Sequence, residues 1–475
     1  MEKLSLKSKS VCFVKLNNIP RSCDPLDHDL FVHHLLFRST QNTLLTPYRI
    51  GELRGLIAES WSSENSFEKW VFKIRKGLKF ANGNPIDAKA VGNSLTRAVY
   101  MLTQKKSHNE VASNLLGVEE LKTPLDSFPG IQVRGDEVHL LFSRPVPNLL
   151  DHISFGIFGI ISTQDFNPAN GEWKDPKNCQ SSGPYIISSW TDSTVQLTLR
   201  EDYPKELLHP KPIQKWEATW APKNNQNFDI EMGTSHDEVE SLEFKGGAEN
   251  NFSYLHLFSF RDPKSPFYNI QARQTFRDLF RKNFVNSLKP QPARSFFPTI
   301  VQNVNEVSEK PVSPPATWGQ SGGIRVAVKS TFSPFQKKVL EGISKTLSGT
   351  GLRVNEISWT ESWYDSEVEV KKQGFKLDIG ILASGILVED SLADIRFMFL
   401  AKEGINLPDP DGQVQKELAL LRPSIQKINQ LIWDQAVIVP IDHFRMGLWV
   451  NPELDSSWLN FLKPPTELQW FGLKN

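Results

Sequence analysis

The chain has 475 residues, with 54 Lys and Arg against 54 Asp and Glu, 39% hydrophobic residues and 23% charged residues. That length holds roughly two to four domain-sized units, and the composition excludes collagen-like, low-complexity and disulfide-dense scaffolds. A zero net charge argues against nucleic acid as a partner, because counterion release needs a basic footprint.

From the N-terminus, "MEKLSLKSKSVCFVKL" carries some basic residues but no apolar core of signal-peptide length before Pro20. The longest apolar run, "ISFGIFGII" from Ile153, falls far short of the ~20 residues a spanning helix needs. The expectation is a cytoplasmic protein, or an extracytoplasmic one whose export segment lies outside this chain. His28, His33 and His34 are spaced so that a sharp turn could bring them to one metal ion. The bland alternative is a helix face with one packed imidazole, and no thiolate or carboxylate spacing supports a closed metal site. No cofactor is expected: there is no GxGxxG after a strand and no GxxxxGK[ST].

"KWVFKIRKGLKF" (residues 69–80) reads as strand, turn, strand. "DAKAVGNSLTRAVYML" reads as a helix capped by Asp87, with Val91, Leu95, Ala98, Val99 and Leu102 on one face. "DEVHLLFSR", "YIISSW" and "TVQLTLR" read as short strands separated by turns. "SEKPVSPPATWGQSGG" (308–323) combines three prolines with a Gly-Gly pair and reads as an extended connector. It contains Gly319-Gln320-Ser321-Gly322-Gly323, which fits GxSxG. A nucleophile elbow needs a strand before the serine and a helix after it. Here a proline-rich loop precedes and a strand comes next, so the hydrolytic context is inverted.

Beyond the connector the pattern becomes α/β. "IRVAVK" (324–329) is a strand. A helix comes next with Ser333 as N-cap, Pro334 at its first position, and Phe335, Val339, Leu340, Ile343 and Leu347 on one face. "LRVNEISW" (352–359) and "KLDIGILA" (376–383) are further strands, the last nearly continuous in apolar residues, as in a sheet covered on both faces. Strand, helix, strand in this order implies parallel pairing. Cys12, Cys23 and Cys179 are too few and too scattered for a zinc or iron–sulfur site, and they allow at most one disulfide. Most of the 13 Trp residues should pack structurally, and some could line a groove.

The stretch from Leu56 to Val99 resembles the signature of the family 5 extracellular solute-binding proteins, the peptide-, dipeptide- and nickel-binding receptors of ABC importers. Ala58, Glu59 and Trp61 match its Ala-Glu-x-Trp. Arg75, Gly77, Phe80, Gly83 and Pro85 match its hairpin pattern, and Ala88, Val91, Ser94, Leu95 and Arg97 match its helix pattern. Further matches come in the family's order: Asp24-Pro25, "SSGPYII" (181–187), "REDY" ending at Tyr203, the stretch carrying Arg273, and "INQLIWDQAVIVPI" near the end. Departures occur at Glu201, at Asp434 to Val437, and after "KLDIGILA", where the family's Trp and Pro are missing.

The resemblance implies an α/β, periplasmic-binding-protein-like fold of class II type: two lobes joined by a hinge, with a β-rich subdomain inserted in the first. The expected divisions are 1–45, 180–262 and 438–475 for the first lobe, 46–179 for the insert, and 263–437 for the second lobe. It implies a monomeric, non-enzymatic receptor that takes a peptide or similar solute in the cleft and works with ABC permease subunits. Asp390 is the best match for the family's ammonium-pairing carboxylate, Asp394 is second, and Asp29 is a further ligand-binding candidate. A cytoplasmic sensing module of the same fold and a nickel or metal-chelate binder are the alternatives. Because the residues around Ser321 read as a connector, Ser321→Ala should leave ligand affinity unchanged in calorimetry. A loss of binding, or of any hydrolytic activity, would contradict the connector reading.

Overall fold

The computed structural model describes residues 11–474 except 17–19, 28–30, 48–51, 105–108, 224–225, 248, 289–292, 299–300, 302–306, 308–322, 329–333, 349, 359–376, 386–390, 401–406, 421 and 460–466. The described residues form two large sheets, one four-stranded sheet and two two-stranded pairs. The first large sheet has seven strands, in the order Glu243–Gly246, Met446–Val450, Ile230–Thr234, Cys12–Lys15, Lys215–Thr219, Thr194–Leu199 and Tyr185–Trp190. Cys12–Lys15 is parallel to both of its neighbours. Its alternate residues Cys12 and Val14 enter a core with Trp216, Ala218, Ile230 and Leu448, while Phe13 and Lys15 face the other way.

The second large sheet has five strands, in the order Arg353–Ser358, Gly323–Val328, Ile379–Gly385, Asn251–Leu257 and Ile438–Phe444. The first three are parallel, as the strand–helix–strand reading required. Both faces are covered. Leu255 and Leu257 pack with Phe276 and Phe280 of helix Ile270–Asn283 and with Val339 and Ile343 of helix Pro334–Leu347. Phe252 and Tyr254 pack on the opposite face with Phe296, Ile395 and Ile432.

The four-stranded antiparallel sheet joins Ala58–Glu64, Lys69–Ile74, Glu137–Leu141 and Ile131–Arg134. Helix Ala88–Gln104 packs on it, and Asp87 caps that helix by accepting from the Ala90 amide at 2.8 Å. One expectation fails here. Residues 69–80 hold one strand, Lys69–Ile74, and not a hairpin. Gly77 turns the chain at φ +83°, and the second arm reduces to an isolated bridge between Lys79 and Pro85. The Asn82-Gly83 turn comes too soon for a second strand to extend, and Leu78 and Phe80 are buried in the core instead.

Strand pairing between distant segments decides which sheet each range joins. The ranges 180–262 and 438–475 fall in the expected first lobe, yet strands Asn251–Leu257 and Ile438–Phe444 lie in the second large sheet. The physical reason is continuity of a ladder. Glu243–Gly246 pairs with Met446–Val450 in the first sheet, and the same two chain segments pair again in the second sheet as 251–257 with 438–444. Among the described residues, the chain leaves the first sheet after Gly246, enters the second at Asn251, and returns to the first past Arg445.

The four-stranded sheet is fastened to the first large sheet by a buried arginine. Arg97, on helix Ala88–Gln104, donates Nη1 and Nη2 to the two carboxylate oxygens of Asp24 at 2.7 and 2.6 Å. Its Nε and Nη2 also donate to the Gly171 carbonyl at 2.9 and 2.8 Å, and the rings of Phe166 and Trp173 flank the guanidinium. A bidentate pair this well hydrogen-bonded recovers the desolvation cost of two buried charges. Removing one partner does not. Arg97→Met should therefore lower the unfolding free energy by ~3–5 kcal/mol, read by chemical denaturation, and the double variant Arg97→Met/Asp24→Asn should recover part of that loss.

A candidate ligand cleft at the sheet crossing

In the first sheet, Cys12–Lys15, Lys215–Thr219 and Ile230–Thr234 all run in one direction. Thr234, at the end of the last, pairs with Met446 beside the crossing. In the second sheet the parallel strands also run toward the crossing, because Gly385, the last residue of Ile379–Gly385, pairs with Asn251, and Asn251 pairs with Phe444. The carboxyl ends of both parallel sets thus converge on the two-strand crossing from opposite sides. Ligands of open α/β sheets bind at such ends.

Glycines permit the tight ladder at this point. Gly233, Gly447 and Gly246 lie in register across three neighbouring strands. A Cβ on Gly447 would stand 2.3 Å from the Lys245 carbonyl oxygen, so only glycine fits there.

Beside this ladder the two sheets' flanking segments touch. His236 comes just after strand Ile230–Thr234 of the first sheet, and Phe335 opens helix Pro334–Leu347 of the second. Their rings stack with centroids 4.5 Å apart and planes 7° apart. Phe444, at the crossing, lies 5.7 Å from the same imidazole. His236 Nε2 also reaches Asp442 Oδ2, and the Ser253 hydroxyl donates to Asp442 Oδ1. Serine, aspartate and histidine are the residue types of a hydrolytic triad, but here the carboxylate is central. The hydroxyl donates to a carboxylate rather than to an imidazole base, so the order that activates a serine is missing. Next in sequence, His443 is held below its usual range by burial, with its Nε2 3.2 Å from the Ser295 carbonyl. On the first sheet, Lys15 pairs with Glu231 at 2.8 Å and lies over the Phe228 ring.

Asp390, Asp29, His28 and Ser321 lie outside the described residues. The last described residue before Asp390 is Gly385, which pairs with Asn251 at the crossing. Asp394 belongs to helix Ser391–Leu400, whose Ile395, Met398 and Phe399 are buried. Gly323 is the first residue of a strand, so the GxSxG segment runs into a strand and not a helix. His33 and His34 are buried on one helix with different neighbours: His33 Nε2 accepts from the Arg21 amide at 3.0 Å, and His34 meets Phe155 edge-on. They do not converge, and among the described residues no group of three His, Cys, Asp or Glu could hold a metal ion. His236, Phe335 and Asp442 carried no signal in the sequence, because each is unremarkable alone and they meet only through the crossing.

The family residues prove to be anchors. Arg200 donates to the Ser181, Gly183 and Lys79 carbonyls and to Asp202. Tyr203 OH and Asn42 Nδ2 are hydrogen-bonded in the core. Arg273 donates to the Phe267, Tyr268 and Gln435 carbonyls, and burial pulls its pKa down to about 10. No helix among the described residues is long and apolar enough to cross a membrane.

Comparison with known proteins agrees with this architecture. Residues 52–315 match the family model of bacterial extracellular solute-binding proteins, family 5 Middle. The periplasmic oligopeptide-binding protein OppA of Escherichia coli is 26% identical over 267 residues, 51% of this chain and 48% of that protein. The nickel-binding periplasmic protein of the same organism is 31% identical over 109 residues, 22% of this chain and 21% of that protein. The matched regions thus span about half or less of these curated relatives. A Pseudoalteromonas dipeptide-binding protein solved with Met-Leu shares the fold over 98% of this chain and 100% of its own, at 15% identity and a TM-score of 0.74.

The stacked pair across the cleft leads to a prediction. An aromatic pair contributes about 1 kcal/mol beyond area burial, so Phe335→Ala should weaken ligand binding roughly 5-fold by disfavouring closure. Calorimetry on the variant reads it, and unchanged affinity would show that the stack does not support closure.

Proposed function

Because this chain belongs to the bacterial extracellular solute-binding proteins of family 5, we propose that it is the receptor of an ABC importer for a short peptide with a free amino terminus. The observation that carries this reading is the convergence of both sets of strand ends on one two-strand crossing. A cleft built this way offers strand ends to an extended ligand, so main-chain hydrogen bonds can supply affinity without reading side chains. The chain passes between the two sheets after Gly246 and at Arg445, and in this reading rotation there closes the cleft.

In this reading Asp390 pairs with the ligand ammonium. It comes shortly after the strand ending at Gly385, which meets the crossing. Asp394, in helix Ser391–Leu400, is the second candidate, and Asp29 is the third. The receptor acts outside the cytoplasm as a monomer, delivers its ligand to membrane permease subunits and catalyses no reaction. The lobes correspond to the two large sheets, and the insert (46–179) carries the four-stranded one.

Native mass spectrometry of freshly purified protein, scanned for co-purified peptide and for nickel, identifies the ligand class. Titration then tests the site. Asp390→Asn should weaken a free-amine peptide by ~2–5 kcal/mol, since it removes the charge that pairs with a buried ammonium. The N-acetylated peptide should bind wild type more weakly and should not distinguish it from the variant. Equal affinity of Asp390→Asn and wild type for the free-amine peptide removes Asp390 from the site. Small-angle scattering should show a smaller radius with ligand bound, and no compaction with a verified ligand overturns the hinged receptor.

A further inference from the structure

The fold brings together two of the three cysteines. Cys23 precedes Asp24, and Cys179 lies more than 150 residues later in the chain (179 − 23 = 156). The Cys23 amide donates to the Pro176 carbonyl at 2.8 Å, which lays the two loops side by side. Both are free thiols in one core, 0% and 7% exposed, and Cys179 is close enough to shift the Cys23 thiol. Cys179 Sγ is also 3.8 Å from Ser181 Oγ. Cys12 sits apart, on strand Cys12–Lys15.

The location is specific. Arg97 draws its acceptors from these same two loops: the Asp24 carboxylate beside Cys23, and the Gly171 carbonyl on the segment leading to Cys179. A covalent link between the loops would hold both acceptor sets around one guanidinium. Burial pushes the Cys23 thiol far above its ordinary range, with Cys179 adding to the shift, so in the folded reduced protein it is an inert thiol. Formation therefore belongs to the folding stage, while the thiols are still accessible.

We propose that Cys23 and Cys179 form a disulfide that fastens the Arg97 clamp, made by exchange with a disulfide-bearing oxidant such as glutathione disulfide. One Cys thiolate attacks a sulfur of the oxidant and expels one thiolate. The second Cys thiolate then attacks the mixed disulfide and expels the other. One S–S bond forms, one breaks, the oxidant takes up the electron pair, and the two protons pass to its thiolates. The proposal is independent of which ligand the cleft takes.

The test is refolding of the full chain in glutathione buffer with the disulfide form in excess, then digestion without reduction. The expected result is a linked peptide pair containing Cys23 and Cys179, with Cys12 alkylated as a free thiol. Oxidised protein should unfold about 5 °C above reduced protein, since the bond closes a loop of roughly 150 residues, and that gap should vanish in Cys179→Ser. Three alkylatable thiols in denatured oxidised protein whose fold was verified beforehand, or a bond through Cys12, overturns the proposal. The peptide map uses wild-type protein, so it decides the question even if the serine variant folds poorly.

Discussion

Two paired strand segments run through both large sheets, and the rest of the architecture is arranged around them. Asn251–Leu257 and Ile438–Phe444 complete the second sheet, while Glu243–Gly246 and Met446–Val450 belong to the first. A ladder that passes from one sheet to another must bend between them, and the in-register glycines at 233, 246 and 447 let the backbones approach closely at the bend. The parallel strands of each sheet also end there, so the proposed cleft and the proposed hinge fall on one feature of the ladder.

Buried arginines hold the parts that the ladder does not. Arg97, Arg200 and Arg273 each place a guanidinium against backbone carbonyls that no strand or helix would satisfy. A guanidinium suits this role because its five donors are fixed in a plane and it stays charged when desolvated. Arg38 and Glu467 form a similar pair at 2.8 Å, both almost wholly buried, with Thr46 donating to the same carboxylate. Burial draws the Arg38 pKa down and pushes the Glu467 pKa up, and each partner opposes the other's shift. Arg97, Arg200 and Arg273 are among the residues that carry the family resemblance, and each holds architecture.

One buried carboxylate works in the opposite sense to the clamps. Asp165 lies near Arg97 and accepts from the Gln180 and Ser162 amides, yet desolvation raises its pKa to about 6. Its folded-state pKa stands above the unfolded value, so the folded state holds the proton more tightly. The group therefore stabilises the fold when protonated, and that contribution fades as pH rises from about 4 through about 6. The carboxylates of Asp202 and Glu417, held low by hydrogen bonds from Arg200 and Lys427, act in the reverse direction. Any measured pH profile is the sum of these opposed terms.

The amino-acid sequence by itself determined the elements whose signals are local. The helix capped by Asp87, the strands at 185–190 and 194–199, and the strand–helix–strand unit from 323 to 358 arise from period, caps and turn residues within a few positions. The family pattern, spread over most of the chain, determined the fold class. Tertiary structure decided everything that depends on pairing between distant segments. The partners of strand 251–257 at 379–385 and 438–444, and hence its sheet, depend on which ladder continues past Gly246. Residues 78–80 carry strand-like residues, but the turns at Gly77 and Gly83 leave no room for a second arm. His236, Phe335 and Asp442 are ordinary residues in ordinary contexts, and only the crossing places them together. The same holds for Cys23 and Cys179: spacing in the sequence carries no information about two loops that meet because Arg97 needs acceptors from both.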